Sequence, residues 1–423
     1  MKHKRILAVL LSMLVLSLVA CTNEVKITEK ETQTVISFSW WGNDERNEYT
    51  LEAIRQFEEL HPEIKVDCYY TEWSGYQTKN DIRMASNTES DVMQINFAWI
   101  TQYSPDGTGY YDISELTEYV DLSSFTEKEL NYGMQNGKLN ALPIALNTET
   151  YYYNKTLFEE NGLTYPKTWE DLFDVATKLP EGLYVAGMPA KSAFIMSAAY
   201  TEQKTGRTLV DAEGNLKFTA EDLEEMISFY CSLVREGVIP ATENFSKSSI
   251  TDGDYAGFVA WISDAGSYSD LAIKGGYEVE IGDYLTFDGK PLSGWYAKPA
   301  TMYAIGKNTD HPKEAAILLD FLLNSEEMAL LQGLEKGIPL SEKAKAVLES
   351  NDMLYGIQYD AYEKMIEHAD SIQVMSAYYE NQDLIDAFYD ACNEVYYEVT
   401  PLEDAALALK DSMELTLEQT RGE

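Results

Sequence analysis

Tryptophan and tyrosine are the residue types in this chain whose chemistry is most distinctive. The 423 residues include 30 Tyr and 7 Trp. Their rings offer flat apolar faces, and their indole and phenol groups also form hydrogen bonds. Polar residues accompany several of them, as in Trp40-Trp41-Gly42-Asn43. This combination suits noncovalent binding of a ligand with both apolar faces and hydroxyl groups, although most aromatic residues of a folded protein belong to its core.

Covalent catalysis has little support in the same sequence. No HExxH, GxSxG, phosphate-binding P-loop or CxxC motif occurs. Of the four histidines, His61 and His311 each precede a proline at a predicted helix boundary, where a structural role is favoured. We therefore expect no catalytic residue, no cofactor and no metal site; calcium stays open only because Asp252–Tyr255 resembles the start of a calcium loop, which here lacks the glutamate at its twelfth position.

The elements that would position the aromatic residues alternate between strand and helix. Alternating apolar residues predict a strand from Val35 to Trp40. Apolar residues at helical spacing then run from Leu51 to Leu60 and stop before His61-Pro62. A second alternating run begins at Ile64. This order is that of a βαβ unit, which builds parallel sheet with helices packed outside, so the sequence predicts an α/β fold.

Helices are well marked in the later part of the chain. Thr168–Asp171 and Thr219–Asp222 each place a hydroxyl at a helix cap and a carboxylate three residues later, which predicts a capping box. The helix after Thr219 is expected to end at Gly237. Another helix is predicted to begin at His311-Pro312, and two more are predicted at the C-terminus, separated near Pro401.

Residues at the carboxyl ends of the predicted strands are the first candidates for ligand binding, because open α/β sheets form their ligand crevice there. The two tryptophans that end the first strand point to opposite faces, and we favour Trp41 as the one in the crevice. Asn43, Glu45 and Arg46 follow in the same loop, where the last two are alternatively a solvated helix start. Trp73 follows the second strand, where it binds ligand or anchors the loop.

The N-terminal residues are typical of an export signal. Basic residues precede a mainly apolar run, Ile6–Val19, that is shorter than the roughly 20 residues needed to span a bilayer. Leu18–Cys21 then resembles the bacterial lipobox, whose cysteine carries a lipid. The sequence therefore predicts a signal peptide over residues 1–20, a lipid anchor on Cys21, a linker over residues 21–33 and an extracytoplasmic location at the cell membrane. The alternative is an ordinary signal peptide with an incidental cysteine.

The chain is strongly acidic, with a formal net charge of −39. Removal of residues 1–20, which carry three basic residues and no acidic one, would change it to −42. Nucleic acid is therefore excluded as a partner, because binding it requires Lys and Arg to neutralise phosphates. A charge of this size favours a soluble monomer. Cys68, Cys231 and Cys392 are odd in number and far apart, so core packing is favoured over a disulfide framework.

Six segments carry a family resemblance, in order along the chain. They are Ser39–Asn43, Ser90–Ile95, Gly137–Pro143, Tyr153–Phe158, Pro166–Leu172 and Lys336–Ser341. Together they resemble the extracellular solute-binding proteins of carbohydrate ABC importers, the maltose-binding-protein-like family. The resemblance implies capture of a sugar or oligosaccharide and its delivery to the permease subunits of an ABC transporter.

The same resemblance implies a two-lobed periplasmic-binding-protein-like fold with three hinge crossings and a ligand cleft between the lobes. Residues 34–146 and 302–340 would form the N-terminal lobe, and residues 147–301 and 341–423 the C-terminal lobe. The crossings would lie near Leu146–Thr150, Pro299–Met302 and Gly337–Lys343. It further implies ligand-binding roles for a second set of residues. These are Asn96, Trp99, Asn147, Tyr151, Trp261, Trp295, Tyr296 and Tyr378.

The sequence leaves open whether the ligand is neutral or acidic. Some members of the family that the chain resembles bind acidic oligosaccharides. Such a ligand needs local positive charge, for which Arg46 and Lys138 are candidates. A neutral oligosaccharide is favoured because the whole chain is so acidic. A secreted glycoside hydrolase is the alternative of another class, since it needs only two carboxylates about 5 to 10 Å apart.

Overall fold

A computed structural model describes residues 33–211, 213–290 and 292–421 of the chain. The predicted signal peptide, the lipid anchor on Cys21 and nearly all of the predicted linker lie outside these residues. The strands, in chain order, are β1 (Thr34–Trp41), β2 (Ile64–Thr71), β3 (Val92–Ile95), β4 (Met134–Gln135), β5 (Lys138–Leu139), β6 (Ala141–Pro143), β7 (Leu146–Asn154), β8 (Gly257–Trp261), β9 (Val279–Ile281), β10 (Tyr296–Pro299), β11 (Met302–Ile305) and β12 (Gln373–Val374).

Helices cover most of the remaining described chain. They are α1 (Asp44–Leu60), α2 (Trp73–Ser86), α3 (Ala98–Tyr103), α4 (Glu127–Asn131), α5 (Lys155–Glu160), α6 (Trp169–Ala176), α7 (Ala190–Thr205), α8 (Ala220–Arg235), α9 (Ser249–Asp252), α10 (Ile262–Lys274), α11 (Pro312–Asn324), α12 (Glu326–Gln332), α13 (Glu342–Ser350), α14 (Ile357–Glu367), α15 (Gln382–Tyr396) and α16 (Leu402–Arg421). Short 3₁₀ helices occur at Ile113–Leu116, Leu122–Ser124, Thr242–Asn244 and Ala377–Glu380. Within the described residues, none of the helices has the length and apolar character needed to cross a membrane.

Ten of the twelve described strands form two separate five-stranded sheets, one for each lobe, and β4 and β5 form a two-stranded antiparallel sheet. The first has the order β2-β1-β3-β11-β6, with β1 parallel to both β2 and β3 and with β11 antiparallel to its neighbours. The second has the order β12-β10-β7-β8, and β9 also pairs with β7. The predicted βαβ unit is β1-α1-β2, and the predicted α/β two-lobed fold is confirmed.

Local sequence signals account for the helix ends. Thr168 and Thr219 both form complete capping boxes, with Asp171 and Asp222 as the reciprocal carboxylates. Helix α1 ends at Leu60, just before the proline-containing turn, as predicted. The apolar run from Leu139 to Leu146 does not form one strand: β5 ends at Leu139, β6 ends at Pro143 and β7 starts at Leu146. Proline has no N–H to donate, and Pro143 is the last residue of β6, which is an edge strand, where proline is tolerated.

Three chain segments connect the lobes and lie side by side. Ile144 N–H donates to the carbonyl of Thr301 at 3.0 Å, and Ala300 N–H donates to the carbonyl of Ala145 at 2.8 Å. Ala145 also forms a β-bridge with Pro339, and Leu340 N–H donates to the carbonyl of Ile144 at 3.0 Å. Short connections that lie side by side in this way form a hinge, because a few backbone rotations in them reorient a whole lobe.

Each lobe has its own buried core, which supports treating them as separate bodies. The first core packs the β1–β3 side of its sheet against α1 and α11, around Phe38, Phe57 and Leu319. The second surrounds β7 and includes Trp169, Trp295 and Phe388. The predicted residue boundaries of the lobes remain a proposal. In that proposal we extend the first lobe through α13, because α13 packs against α11 and α12 and its Lys343 pairs with Asp121 at 2.6 Å.

Candidate functional site

A deep groove lies between the lobes at the carboxyl ends of β1 and β2. We name it the tryptophan groove; it encloses about 1420 Å³ of empty space, including the part open to solvent. The first lobe and the hinge contribute Trp41, Gly42, Asn43, Glu45, Arg46, Glu72, Trp73 and Glu335. The second lobe contributes Ser263, Asp264, Gly266, Ser267, Asp270 and Gln358.

A second groove also lies between the lobes. We name it the tyrosine groove; it has about 1090 Å³ of empty space, including the part open to solvent. Its first-lobe wall is formed by Phe97, Ile100, Thr101, Asn131, Tyr132, Met134 and Gln135. Its second-lobe wall is formed by Thr208, Val210, Asp211, Tyr296, Gln373, Val374, Met375, Ser376, Ala377, Tyr378 and Tyr379. The lobes touch beside it, since Ala377 packs into a buried cluster that includes Trp99 and Ile100 of the first lobe.

Three of the predicted tryptophans form one aromatic cluster at the tryptophan groove. The ring centroids of Trp41 and Trp73 lie 4.9 Å apart, and those of Trp73 and Trp99 lie 5.6 Å apart with the rings nearly parallel. Trp99 is 2% exposed, whereas Trp73 is 40% exposed. The ring of Tyr76 packs against Trp41 and Trp99. Its hydroxyl donates to the carbonyl of Gln94 at 2.8 Å, which fixes the ring in place. Trp41 and Trp73 therefore offer the ring surface to a ligand, and Trp99 supports them.

The strand alternation at β1 has the outcome that we expected. Trp40 is fully buried and stacks on Phe38 at a centroid distance of 4.8 Å. Trp41, the next residue, points into the tryptophan groove. Asn43 caps α1, because its Oδ1 accepts from Arg46 N at 2.9 Å. The side chain of Arg46 leaves the helix and donates to the carbonyl of Glu335 at 2.7 Å, which ties α1 to the third crossing.

Carboxylates predominate on the walls of the tryptophan groove. Five acidic residues line it, and Arg46 is the one basic residue among the described groove residues. The five are Glu45, Glu72, Asp264, Asp270 and Glu335. Such oxygens accept hydrogen bonds from ligand hydroxyl groups. The same charge disfavours a ligand carboxylate at this position.

A compact group of charged residues surrounds Trp261 on the second lobe. We name it the lysine cluster: Lys191, Lys298, Glu149 and Glu380. The Nζ atoms of Lys298 and Lys191 lie 4.6 and 5.6 Å from the ring centroid of Trp261. Both ammonium groups donate to Oε1 of Glu380, at 2.6 Å from Lys298.

The pKa values of this cluster are strongly perturbed. Burial raises the pKa of Glu149 to about 7, although Ser192 Oγ donates to its Oε1 at 2.6 Å. Burial also acts on Glu380, but the two neighbouring ammonium groups prevail and hold its pKa at about 2. Burial lowers the pKa of Lys298. At neutral pH Glu380 is therefore a full carboxylate, and the carboxyl of Glu149 is about half ionised.

The third crossing contains a buried lysine without a carboxylate partner among the described residues. Lys336 is 2% exposed, and its Nζ donates to Gln94 Oε1 at 3.0 Å and to the hydroxyl of Tyr303 at 2.8 Å. Burial lowers its pKa to about 7, and the nearby positive charge of Arg46 adds to the effect. The hinge thus contains a group whose charge is costly to bury.

Two of the predicted ligand residues lie in the core of the second lobe. Tyr151 is fully buried and its hydroxyl donates to Met196 Sδ. Trp295 is 2% exposed, stacks on Trp169 at 5.9 Å and donates to the carbonyl of Leu285 at 2.8 Å. Neither reaches a groove, because helices cover both faces of this sheet. We do not retain either residue in the proposed site.

The other residues predicted to bind ligand lie at several different places around the two grooves. Asn147 is buried and exchanges two hydrogen bonds with Ser263, which fixes β7 to the start of α10. Asn96 caps the turn before α3 by accepting from Ala98 N at 2.9 Å, and it lines neither groove. Tyr296 and Tyr378 line the tyrosine groove. Trp261 is half-buried under the lysine cluster.

Sequence reasoning missed the lysine cluster and the tyrosine-groove residues of the first lobe. Lys298 directly precedes Pro299, the predicted start of a crossing, and a lysine next to a hinge was an available signal. Lys138, the predicted source of positive charge, lines neither groove. For metals, no group of three or more His, Cys, Asp or Glu residues in the described parts of the chain is arranged to hold an ion.

Comparisons with known proteins agree with this architecture. Residues 52–354 match the family model of the bacterial extracellular solute-binding proteins. The galactooligosaccharide-binding protein of Bacillus subtilis is 25% identical over 79% of this chain and 83% of its own length. Among solved structures, a periplasmic solute-binding protein from Pectobacterium atrosepticum is 30% identical with a TM-score of 0.86, covering 92% of this chain and 100% of that one.

A second solved structure is similar over the same length. It is a periplasmic oligogalacturonide-binding protein from Yersinia enterocolitica, in complex with saturated digalacturonic acid. It is 29% identical with a TM-score of 0.83 and also covers 92% of this chain and 100% of its own. The match to the family model covers well over half of the chain, and the two-sheet architecture, the three crossings and the interlobe grooves accord with it. The chain belongs to the bacterial extracellular solute-binding proteins.

Proposed function

We propose that this protein captures an oligosaccharide outside the cytoplasmic membrane and delivers it to the permease subunits of an ABC transporter. The observation that carries the proposal is the tryptophan groove, in which the indoles of Trp41 and Trp73 face acidic and hydroxyl side chains of the other lobe. Sugar rings have apolar C–H faces that stack on such indoles and hydroxyl groups that donate to such carboxylates.

The relatives support the same ligand class. One is named for galactooligosaccharides and another for oligogalacturonides, and a third, from Bacillus subtilis, is an arabinooligosaccharide-binding protein. These names include neutral and acidic sugars, so they leave the charge of the ligand open. They describe binding proteins, and no feature of the described residues favours the hydrolase alternative over binding.

The mode of action follows from the hinge. Ligand in the groove contacts both lobes only when they are close, so it stabilises the closed arrangement. The permease would then recognise that arrangement. The protein would act as a monomer that is exported by the signal peptide of residues 1–20 and tethered by a lipid on Cys21, with residues 21–33 as the linker.

A thermal-shift screen across neutral and acidic oligosaccharides tests the proposed function. A ligand that binds only the folded protein raises its apparent melting temperature, by an amount that grows with concentration above Kd. We expect at least one oligosaccharide to do so, and the sugar to be recovered unchanged after hours of incubation. Failure of every oligosaccharide, or shortening of the chain during incubation, would contradict the proposal.

A further inference from the structure

The lysine cluster lines neither groove, but its residues are close in sequence to second-lobe residues that line both. Trp261, whose ring lies beneath the ammonium groups, is followed two residues later by Ser263, which lines the tryptophan groove. Tyr296 and Tyr379, which line the tyrosine groove, are two residues before Lys298 and directly before Glu380. The cluster is therefore near both grooves, and the side chain of Lys191, which is 33% exposed, is its most accessible group.

The charge of the cluster is positive when Glu149 is neutral. Two ammonium groups then face the single carboxylate of Glu380. Lys191 is also in the first turn of α7, where the helix dipole adds partial positive charge, and its side chain is 33% exposed. This is a local excess of positive charge in a chain whose formal net charge is −39.

The cluster also has unused hydrogen-bonding capacity. Each lysine ammonium has three donors, and among the described residues each makes one hydrogen bond, to Glu380. Oε2 of Glu149 and Oε2 of Glu380 are buried without a hydrogen-bond partner among those residues. Buried polar groups of this kind are normally satisfied, so the arrangement fits a ligand that supplies both acceptors and hydroxyl donors.

We infer that the lysine cluster binds the carboxylate of a uronic acid residue, so that the ligand is an acidic oligosaccharide. This inference rests on the proposed function. The carboxylate accepts from Lys191 and Lys298, and ring hydroxyl groups next to it donate to the unpaired glutamate oxygens. The ring C–H face stacks on Trp261. The five carboxylates of the tryptophan groove repel a charged ring, so the ring in that groove is uncharged.

Calorimetric titration at pH 6 with matched disaccharides tests the inference. Each pair contains an acid and its neutral counterpart, in which a CH₂OH group replaces every carboxylate: cellobiouronic acid with cellobiose, which differ at one ring, and digalacturonic acid with galactobiose, which differ at both. We expect the acid of at least one pair to bind at least about tenfold more tightly than its neutral counterpart, since a hydrogen bond to a charged group contributes more than one to a neutral group.

Lys191→Gln is the variant to use first, because Lys191 is partly exposed and its removal leaves Glu380 paired with Lys298. It is expected to weaken binding of the acid about tenfold and to leave the neutral sugar unchanged within about twofold. Lys204→Gln is the matched control. Lys204 lies near the other end of α7, about 20 Å away, and likewise contacts an aromatic ring and a glutamate.

Loss of buried Lys298 alone would leave the buried Glu380 with only the partly exposed Lys191 as a partner, so the second variant replaces both residues, as Lys298→Met with Glu380→Gln. It is expected to remove the preference for the acid. If the neutral sugar binds as well as the acid, or Lys191→Gln weakens both equally, the carboxylate subsite is wrong while the oligosaccharide proposal stands. If no acidic or neutral sugar binds, the proposed function fails as well.

Discussion

The indole of Trp73 meets the indole of Trp41 edge to face, with ring centroids 4.9 Å apart. One ring ends β1 and the other begins α2, so the contact joins two elements at the mouth of the tryptophan groove. Neither ring is fully buried. The pair is therefore available to a ligand while remaining fixed by its own packing.

Trp41→Ala is expected to weaken oligosaccharide binding by about 1–3 kcal/mol, as for other aromatic anchors at interfaces. The loss arises because the sugar ring forfeits its stacking surface. The fold should persist, since Trp41 is only half-buried. Calorimetry with the sugar found by thermal shift measures the effect, and Tyr355→Ala, an exposed aromatic at 73%, is the control. An unchanged affinity for Trp41→Ala would remove this residue from the site.

Cys21→Ser is expected to release the protein from the membrane fraction into the soluble extracytoplasmic fraction. Diacylglycerol on the cysteine provides the two acyl chains that stable anchoring requires, and serine cannot carry it. Fractionation followed by immunoblotting measures the distribution, together with incorporation of labelled palmitate. Cys68→Ser is the matched control and should stay in the membrane fraction. Membrane retention of Cys21→Ser would contradict the lipid anchor.

Gly337→Ala is expected to perturb the hinge more than an alanine at another glycine of the same backbone conformation. Gly337 has φ +95° in the third crossing, and a Cβ there would lie 2.9 Å from Cβ of Ala145 in the first crossing. Gly182 has φ +93° with open space around it. Both substitutions incur backbone strain of about 1–2 kcal/mol. Gly337→Ala adds a clash between two crossings and should also change ligand affinity.

Chemical denaturation and calorimetry on both glycine variants provide the measurement. Gly182→Ala should lower the free energy of unfolding while leaving ligand affinity at the native value. Equal effects of the two substitutions on both quantities would show that the contact between Gly337 and Ala145 does not influence closure.

The buried ammonium of Lys336 predicts a rise in stability with pH. Its pKa is about 7 in the folded protein and near the ordinary 10.5 in the unfolded chain. Between these values the unfolded chain binds more protons, so raising the pH favours the folded state. The groups that face Lys336 are Arg46, Gln94, Tyr49 and Tyr303.

Lys336→Met removes this titration, so the free energy of unfolding of the native protein relative to the variant should increase from pH 7 to pH 10. Denaturant titrations at several pH values give this difference. Lys65→Met, at an exposed lysine paired with Glu58, should show a flat difference over the same range. A flat difference for Lys336→Met would mean that the buried lysine is neutral or charged in both states alike.

Several elements could be predicted from sequence because local signals define them. Alternation along β1 separated Trp40 from Trp41, and the capping boxes at Thr168 and Thr219 marked two helix starts. The family resemblance, and not periodicity, supplied the discontinuous order of the lobes. That order depends on which segments cross between sheets, and local patterns contain no information on it.

Two kinds of error have distinct physical causes. Tyr151 and its neighbours Tyr152 and Tyr153 are all fully buried, because helices cover both faces of the second sheet and alternation then has no solvent side. The lysine cluster was missed because Lys298 and Glu380 meet only through tertiary packing. Charges far apart in sequence show no pattern before the fold brings them together.

Small-angle X-ray scattering with and without a saturating oligosaccharide determines whether the two lobes close around a carbohydrate held between them. We expect a smaller radius of gyration with the sugar found by thermal shift, and a smaller response for Trp41→Ala at the same sugar concentration. A radius of gyration that stays the same while the sugar is bound would contradict closure of the lobes around it.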